Sequence, residues 1–417
     1  MERAQRRVMS GTGGLVALAI PSLGAQAPAL AQLSPQPVVA DAATRLSLAA
    51  ESSGGKGEDT IAGGKDAKGI YLASGETKIY LGGNTQFRYF ANSRDTTVDQ
   101  DEFASGFGFR RARLSVQGNL SKELAFIIQG DFLSGDSFKL FEAFATYAFT
   151  PEWVLCVGQF KPPLLKEELT SLTKLQAVER STVNSTFTQN YSQGVQLGWT
   201  GQDVRAWGSF NDGLNALNTN FISSKESDYA LTARGEWKWS GDWKQFDEFT
   251  SWRGREYAGY LAGALHFQDG GETVGTPDTS VFQYTLDTQS KGDGWNFFAS
   301  FIGRNTEPAG GSSFDDFGAV VSGGYLVSDQ TELFARWSGV IPDDSRANGE
   351  DFHEVTFGAN YFLFPESHAA KLTADITWAL DAQSEAGDVV KAREVDGLLA
   401  STEDNQVYFR VQFQLVF

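Results

Sequence analysis

The chain has 417 residues, 41% hydrophobic and 13% aromatic, with 45 glycines, one cysteine and a formal net charge of −18. Such an acidic balance argues against a nucleic-acid partner, which needs a basic footprint, and the lone Cys156 offers no disulfide framework. No run reaches the roughly 18 apolar residues of a spanning helix, while abundant Gly and aromatics suit short strands whose two faces differ.

Arg3, Arg6 and Arg7 precede a short apolar stretch, Leu15–Ile20, which is the pattern of a secretory signal; a flexible basic terminus is the plainer reading. Ala25-Gln26-Ala27 and Ala29-Leu30-Ala31 both supply small residues for cleavage, though Pro28 directly follows the first. The signal is therefore read as 1–27, with 31 as the alternative end. Its three arginines against Glu2 mean that removal takes the charge from −18 to −20. Residues 32–74 are rich in Ala, Ser, Gly and Pro and read as a flexible leader with one short helix over 41–50.

From Thr77 the pattern changes to a period of two. Ile79, Leu81, Gly83, Thr85 and Phe87 alternate with Tyr80, Gly82, Asn84, Gln86 and Arg88. In 229–239, Tyr229, Leu231, Trp237 and Trp239 share one face, and Thr232, Arg234, Glu236 and Lys238 the other. At the end of the chain Val407, Phe409, Val411, Phe413, Leu415 and Phe417 oppose Tyr408, Arg410, Gln412 and Gln414. A helix would scatter these sets around its circumference. Sixteen such segments start near 77, 106, 122, 138, 153, 192, 203, 226, 256, 279, 293, 314, 331, 350, 368 and 404. An even number suits an antiparallel ring, and lipid leaves no tolerable place for an open edge. The expected fold is all-β: a 16-stranded antiparallel transmembrane β-barrel over 75–417, closed by pairing the last strand with Thr77–Phe90.

Connections alternate in length. Those at 119–123, 149–153 and 199–203 are short, and those at 93–105, 161–191, 211–227, 268–279 and 381–404 are long. Short turns on the periplasmic rim and long loops outside are the asymmetry of such barrels. Trp153, Trp199, Trp239 and Phe364, near strand ends, are candidates for the interfacial aromatic girdles. No spacing of His266, His353 and His368 suits a metal, nothing groups Ser, His and Asp for catalysis, and no Gly-rich phosphate loop precedes a helix. Neither an enzyme nor a cofactor is expected.

Val157–Ser171 (VGQFKPPLLKEELTS) with Ala177–Ser181 (AVERS), and Phe109–Gly118 (FRRARLSVQG), resemble the phosphate-selective porin family of the O and P type. Weaker likenesses lie at Phe210–Gly213 and Asp228–Arg234. The resemblance spans about residues 74–417. It implies a barrel in a Gram-negative-type outer membrane, usually a homotrimer, surrounded by lipid and lipopolysaccharide. It also implies a terminal aromatic, here Phe417, read by the barrel-assembly machinery. A long third loop would fold inward and narrow the pore; 161–191 is that loop, and Lys161, Lys166, Lys174 and Arg180 are its basic residues. Matching lumenal arginines are Arg111, Arg113 and Arg234. Small anions are the implied solutes, with phosphate or polyphosphate among them. Glu167, Glu168 and Glu179 in the same loop depart from a simple anion trap.

By the residues alone, Arg111 and Arg113 share one strand face about 6 to 7 Å apart. They are either rungs for a hydrated oxyanion or structural partners of acids such as Asp131, Glu142 or Glu236. Arg110 has the opposite parity and is expected at a rim or a bulge. Arg88, Arg336 and Arg410 are further lumen-facing candidates by parity. The expected function is passive diffusion of small hydrophilic solutes with anion preference. Its rivals are a secreted all-β polysaccharide-binding or surface protein and a structural barrel with a blocked lumen.

Overall fold

A computed structural model describes residues 61–66, 69–95, 102–133, 138–271, 278–346, 349–383 and 389–417. The signal, most of the leader and the short helix expected over 41–50 lie outside the described residues. Among the described residues eighteen strands follow in order: β1 (Ala62–Asp66), β2 (Gly69–Ser74), β3 (Thr77–Ser93), β4 (Phe103–Asn119), β5 (Leu124–Asp131), β6 (Lys139–Ala148), β7 (Trp153–Phe160), β8 (Ser192–Thr200) and β9 (Val204–Asn211). The second half comprises β10 (Tyr229–Ser240), β11 (Ala258–Asp269), β12 (Ser280–Gly292), β13 (Trp295–Glu307), β14 (Phe314–Leu326), β15 (Thr331–Ile341), β16 (Phe352–Phe362), β17 (Ala370–Ala379) and β18 (Gln406–Val416).

Strands β3–β18 pair antiparallel with their sequence neighbours, and β18 returns to β3 in the register Arg88↔Gln412. The result is the expected closed 16-stranded barrel, with each start within three residues of its place in the sequence pattern. The alternation chose the faces: in β10, Leu231 and Trp237 are exposed while Thr232, Arg234 and Glu236 are buried. In β18, Phe409 and Phe413 face out while Arg410, Gln412 and Gln414 face in. An apolar exterior around a polar interior is the inverse of a soluble barrel and is what a hydrocarbon surround demands.

The seam is finished by the last residue. Phe417 and Gly83 exchange both backbone hydrogen bonds, at 2.9 and 3.0 Å. A Cβ on Gly83 would stand 2.5 Å from the Arg113 carbonyl oxygen and 2.8 Å from the Phe417 ring, so the close approach requires glycine there. In β4 the register steps from Gln86↔Arg111 to Phe87↔Phe109, leaving Arg110 as the extra residue of a bulge.

Two features depart from the sequence reading. The end of the stretch read as a flexible leader is structured: β1 and β2 form a hairpin, and β2 joins β3 through Ile70↔Leu81, beyond the end of β18. Five or six alternating residues bordered by glycine are too few to stand out against the Gly-rich surroundings. The second departure is the β10–β11 connection, 241–257, which lies on the rim where the other turns have two to seven residues.

Segment 161–191 is bonded to buried groups on widely separated strands. Its carbonyls at Val178, Leu164, Glu179 and Leu175 accept from Arg88 of β3, Arg234 of β10, Arg336 of β15 and Lys371 of β17. Leu164, Leu165, Val183 and Phe187 of this segment cluster with Phe298, Ile302 and Val320 of the wall. An apolar cluster also lies on the inward face of β5–β9, where Ile127, Phe144, Cys156, Phe160 and Trp207 pack together.

Candidate functional site

Arginines from β3 and β4 converge on one loop carboxylate. Glu179, 4% exposed, accepts from Arg110 Nε at 2.7 Å and Arg111 Nη2 at 3.0 Å, with Arg88 Nη1 at 2.8 Å. Burial alone would raise the pKa of this carboxyl, but the three guanidiniums hold it well below the ordinary range. The β4 bulge makes the convergence possible: it turns Arg110 toward the carboxylate that Arg111 also reaches. Asp396 also meets Arg110, at 3.4 Å, and two acids against three arginines leave positive charge uncompensated.

That charge borders a cavity of about 870 Å³. Segment 161–191 forms one side and residues 389–398 of the last long loop another, with strand ends completing the wall. Among the described residues, ten basic side chains line it against four acidic ones (Glu168, Glu179, Glu354, Asp396), a formal surplus of six. Asp131, Asp375 and Asp316 stand outside the lining but pair with Arg113, Arg410 and Arg304 at 3.0, 2.7 and 2.9 Å, which reduces the surplus to three. Arg336 is more loosely compensated, 3.7 Å from Glu167 and 3.8 Å from Glu354. The Nε atoms of Arg111 and Arg336 are buried with no hydrogen-bond partner among the described residues. A chain with 52 acidic and 34 basic residues thus carries a basic interior.

The seven residues singled out in the sequence divide. Arg111, Arg113 and Arg180 line the cavity. Arg180 also ties the loop together, donating to the carbonyls of Glu167, Glu168 and Thr170. Lys161, Lys166, Lys174 and Arg234 do not line it. Lys161 pairs with Glu168 at 3.3 Å, and burial pulls its pKa down to about 8. Lys166 donates to the Phe246 carbonyl at 2.7 Å, and Lys174 is buried. Arg234 is held by Glu236 at 2.6 Å and by both oxygens of Asp287. Arg336 and Arg410, placed inward by parity, do line the cavity.

Sequence reasoning missed Arg304, Arg346, Lys391 and Arg393. Arg304 shares its inward parity with Phe298 and Ile302, so that face of β13 does not read as polar. The other three lie in long loops, where alternation carries no information about direction.

Closed barrel, apolar exterior, aromatic rims such as Trp153 and Trp239, and a charged lumen define a porin-type transmembrane β-barrel. Within that class, residues 79–238 match the family model described as phosphate-selective porin O and P, in agreement with the motifs quoted above. Among solved structures the chain is similar to an anion-selective porin from Comamonas acidovorans, at 12% identity over 82% of this chain and 100% of that one, with a TM-score of 0.58. It is also similar to the outer-membrane channel DcaP of Acinetobacter baumannii, at 14% identity over 85% and 100% of the two chains, with a TM-score of 0.55. OmpT of Vibrio cholerae aligns at 13% identity over 83% and 100%, with a TM-score of 0.55. At these identities the likeness is one of fold. No curated protein matches the chain.

Proposed function

We propose that this protein is an outer-membrane porin that passes small hydrophilic solutes and prefers anions. The observation that carries the reading is the basic surplus around the 870 Å³ cavity inside an otherwise acidic chain. Fixed positive charge facing a confined aqueous space raises the local anion concentration and repels cations. Arginine suits the task because it stays charged when confined and offers several donors for oxyanions. Segment 161–191 is the constriction: it folds inward, its carbonyls anchor to strands around the ring, and Arg180 and Glu179 face the cavity beside it. Phosphate is one member of the anion class this lining accepts, and the family match points the same way.

The assembly is a homotrimer in this reading. Strands β5, β7 and β9 have 8 residues each, against 17 in β3 and β4. A tilted strand needs about 9 to 11 residues to cross the hydrocarbon layer, so a low wall over β5–β9 is better covered by a second copy than by lipid. A solved form of Vibrio cholerae OmpT is a trimer. The signal at 1–27 exports the chain through the periplasm, and lipid, lipopolysaccharide and the assembly machinery are its remaining partners.

Replacing Arg111 and Arg336 together by Gln is the test, with Arg234→Gln as the control. The double variant should shift the zero-current potential toward the cation side, while the control, which lies outside the cavity lining, should leave it in place. Equal potentials for the full protein and the double variant would remove the cavity from the account of selectivity.

A further inference from the structure

The 241–257 connection is far longer than its position requires. Ser240 already pairs with Gly259, so a few residues would complete the turn. Instead the segment runs into the barrel, and Phe246, Phe249, Thr250, Ser251 and Trp252 are buried. Phe249 packs edge-on against Phe298 of β13, with centroids 5.0 Å apart, and Trp252 against Phe362 of β16 at 4.7 Å. Lys291 of β12 donates to the carbonyls of Gln245, Glu248 and Thr250 at 2.7, 2.7 and 2.9 Å. Thr250 donates to Glu332 of β15 at 3.0 Å, and Glu248 meets His368 at 2.7 Å.

These contacts reach from β12 to the start of β17, all near the short-turn ends of the strands. No residue of the segment lines the basic cavity; the segment occupies the opposite end of the lumen, and Lys166 joins it to 161–191. Its flanks carry glycines with positive φ, Gly241 at +82° and Gly254 at +72°, conformations that other residues rarely adopt. It holds the wall through hydrogen bonds, several of them to its own carbonyls, and through ring contacts of Phe246 with Tyr260, of Phe249 with Phe298, and of Trp252 with Phe362 and His368.

We propose that residues 241–257 are a plug that closes the short-turn mouth of the pore, and that solute passes only when this segment withdraws. The inference rests on the pore reading above. Replacing 242–256 by a short Gly-Ser turn should raise single-channel conductance several-fold and keep the ion preference, because the cavity lining is untouched. If that chain does not fold, Lys291→Met decides: it preserves every strand and removes the donor shared by three plug carbonyls, so the open fraction should rise several-fold. A folded variant of either kind with the conductance and open fraction of the full protein overturns the plug and leaves the pore reading standing. Current through neither the full protein nor the variants overturns the pore reading and the plug with it.

Discussion

At the scale of single residues, Glu179 holds the central position. It neutralises part of the charge of Arg88, Arg110 and Arg111 and fixes the 161–191 segment to β3 and β4. Removing one partner from a buried ionic group costs on the order of 3–5 kcal/mol. Glu179→Gln should therefore lower the denaturation midpoint measured by the heat-dependent shift of the barrel on gels. It should also strengthen anion preference, since the lining gains one unit of net positive charge. A variant with unaltered midpoint and selectivity would mean that the arginines are satisfied without it. Arg111 and Arg113 illustrate what sequence parity delivers and what it leaves open. Their common inward face was legible, but the choice between conduction and pairing depended on a carboxylate 68 residues away from Arg111 for one and on Asp131 for the other.

At the scale of elements, the strands were legible because each repeats one physical signal, apolar residues toward lipid and polar residues toward the lumen. The loops were not, because their conformation is set by partners remote in sequence, and 241–257 gave no hint of entering the lumen. Its contact with the turn before β17 makes a pH dependence. Burial pushes His368 from its ordinary 6.5 down to about 4, against the pull of Glu248 and helped by the charges of Lys371 and Lys174. Burial opposes ionisation of Glu248, yet the His368 contact, Lys174 and Lys291 bring it from 4.5 to about 2. Glu332 lies on the same side through Thr250. His368 and Glu248 bind protons more weakly with the segment seated than when hydrated, so their protonation favours withdrawal, while burial raises the Asp247 carboxyl of the same segment and works against it at the acid end. The effect on His368 begins as pH falls below 6.5, and Glu248 adds to it below 4.5. Conductance should rise between pH 7 and pH 4, and His368→Gln should remove the upper part of that rise. A flat profile in the full protein would dissociate the pair from the movement.

At the scale of the whole molecule, stability and solute handling share one construction. The closed ring satisfies the backbone groups that lipid cannot, which is how a chain with one cysteine dispenses with disulfides. Its last hydrogen bonds run between Phe417 and Gly83, so Gly83→Val, which drives a side chain into the Arg113 carbonyl and the Phe417 ring, should sharply reduce the yield of folded barrel. Normal yield would show that the seam closes without that contact. The same ring separates an acidic chain from a basic interior, so net charge is a poor guide to what the pore admits. The most direct test is the zero-current potential of the full protein in a planar bilayer separating concentrated from dilute potassium chloride. Chloride-selective current, with a potential of the sign that anion flow sets, is the predicted result; a potential of the opposite sign would contradict it.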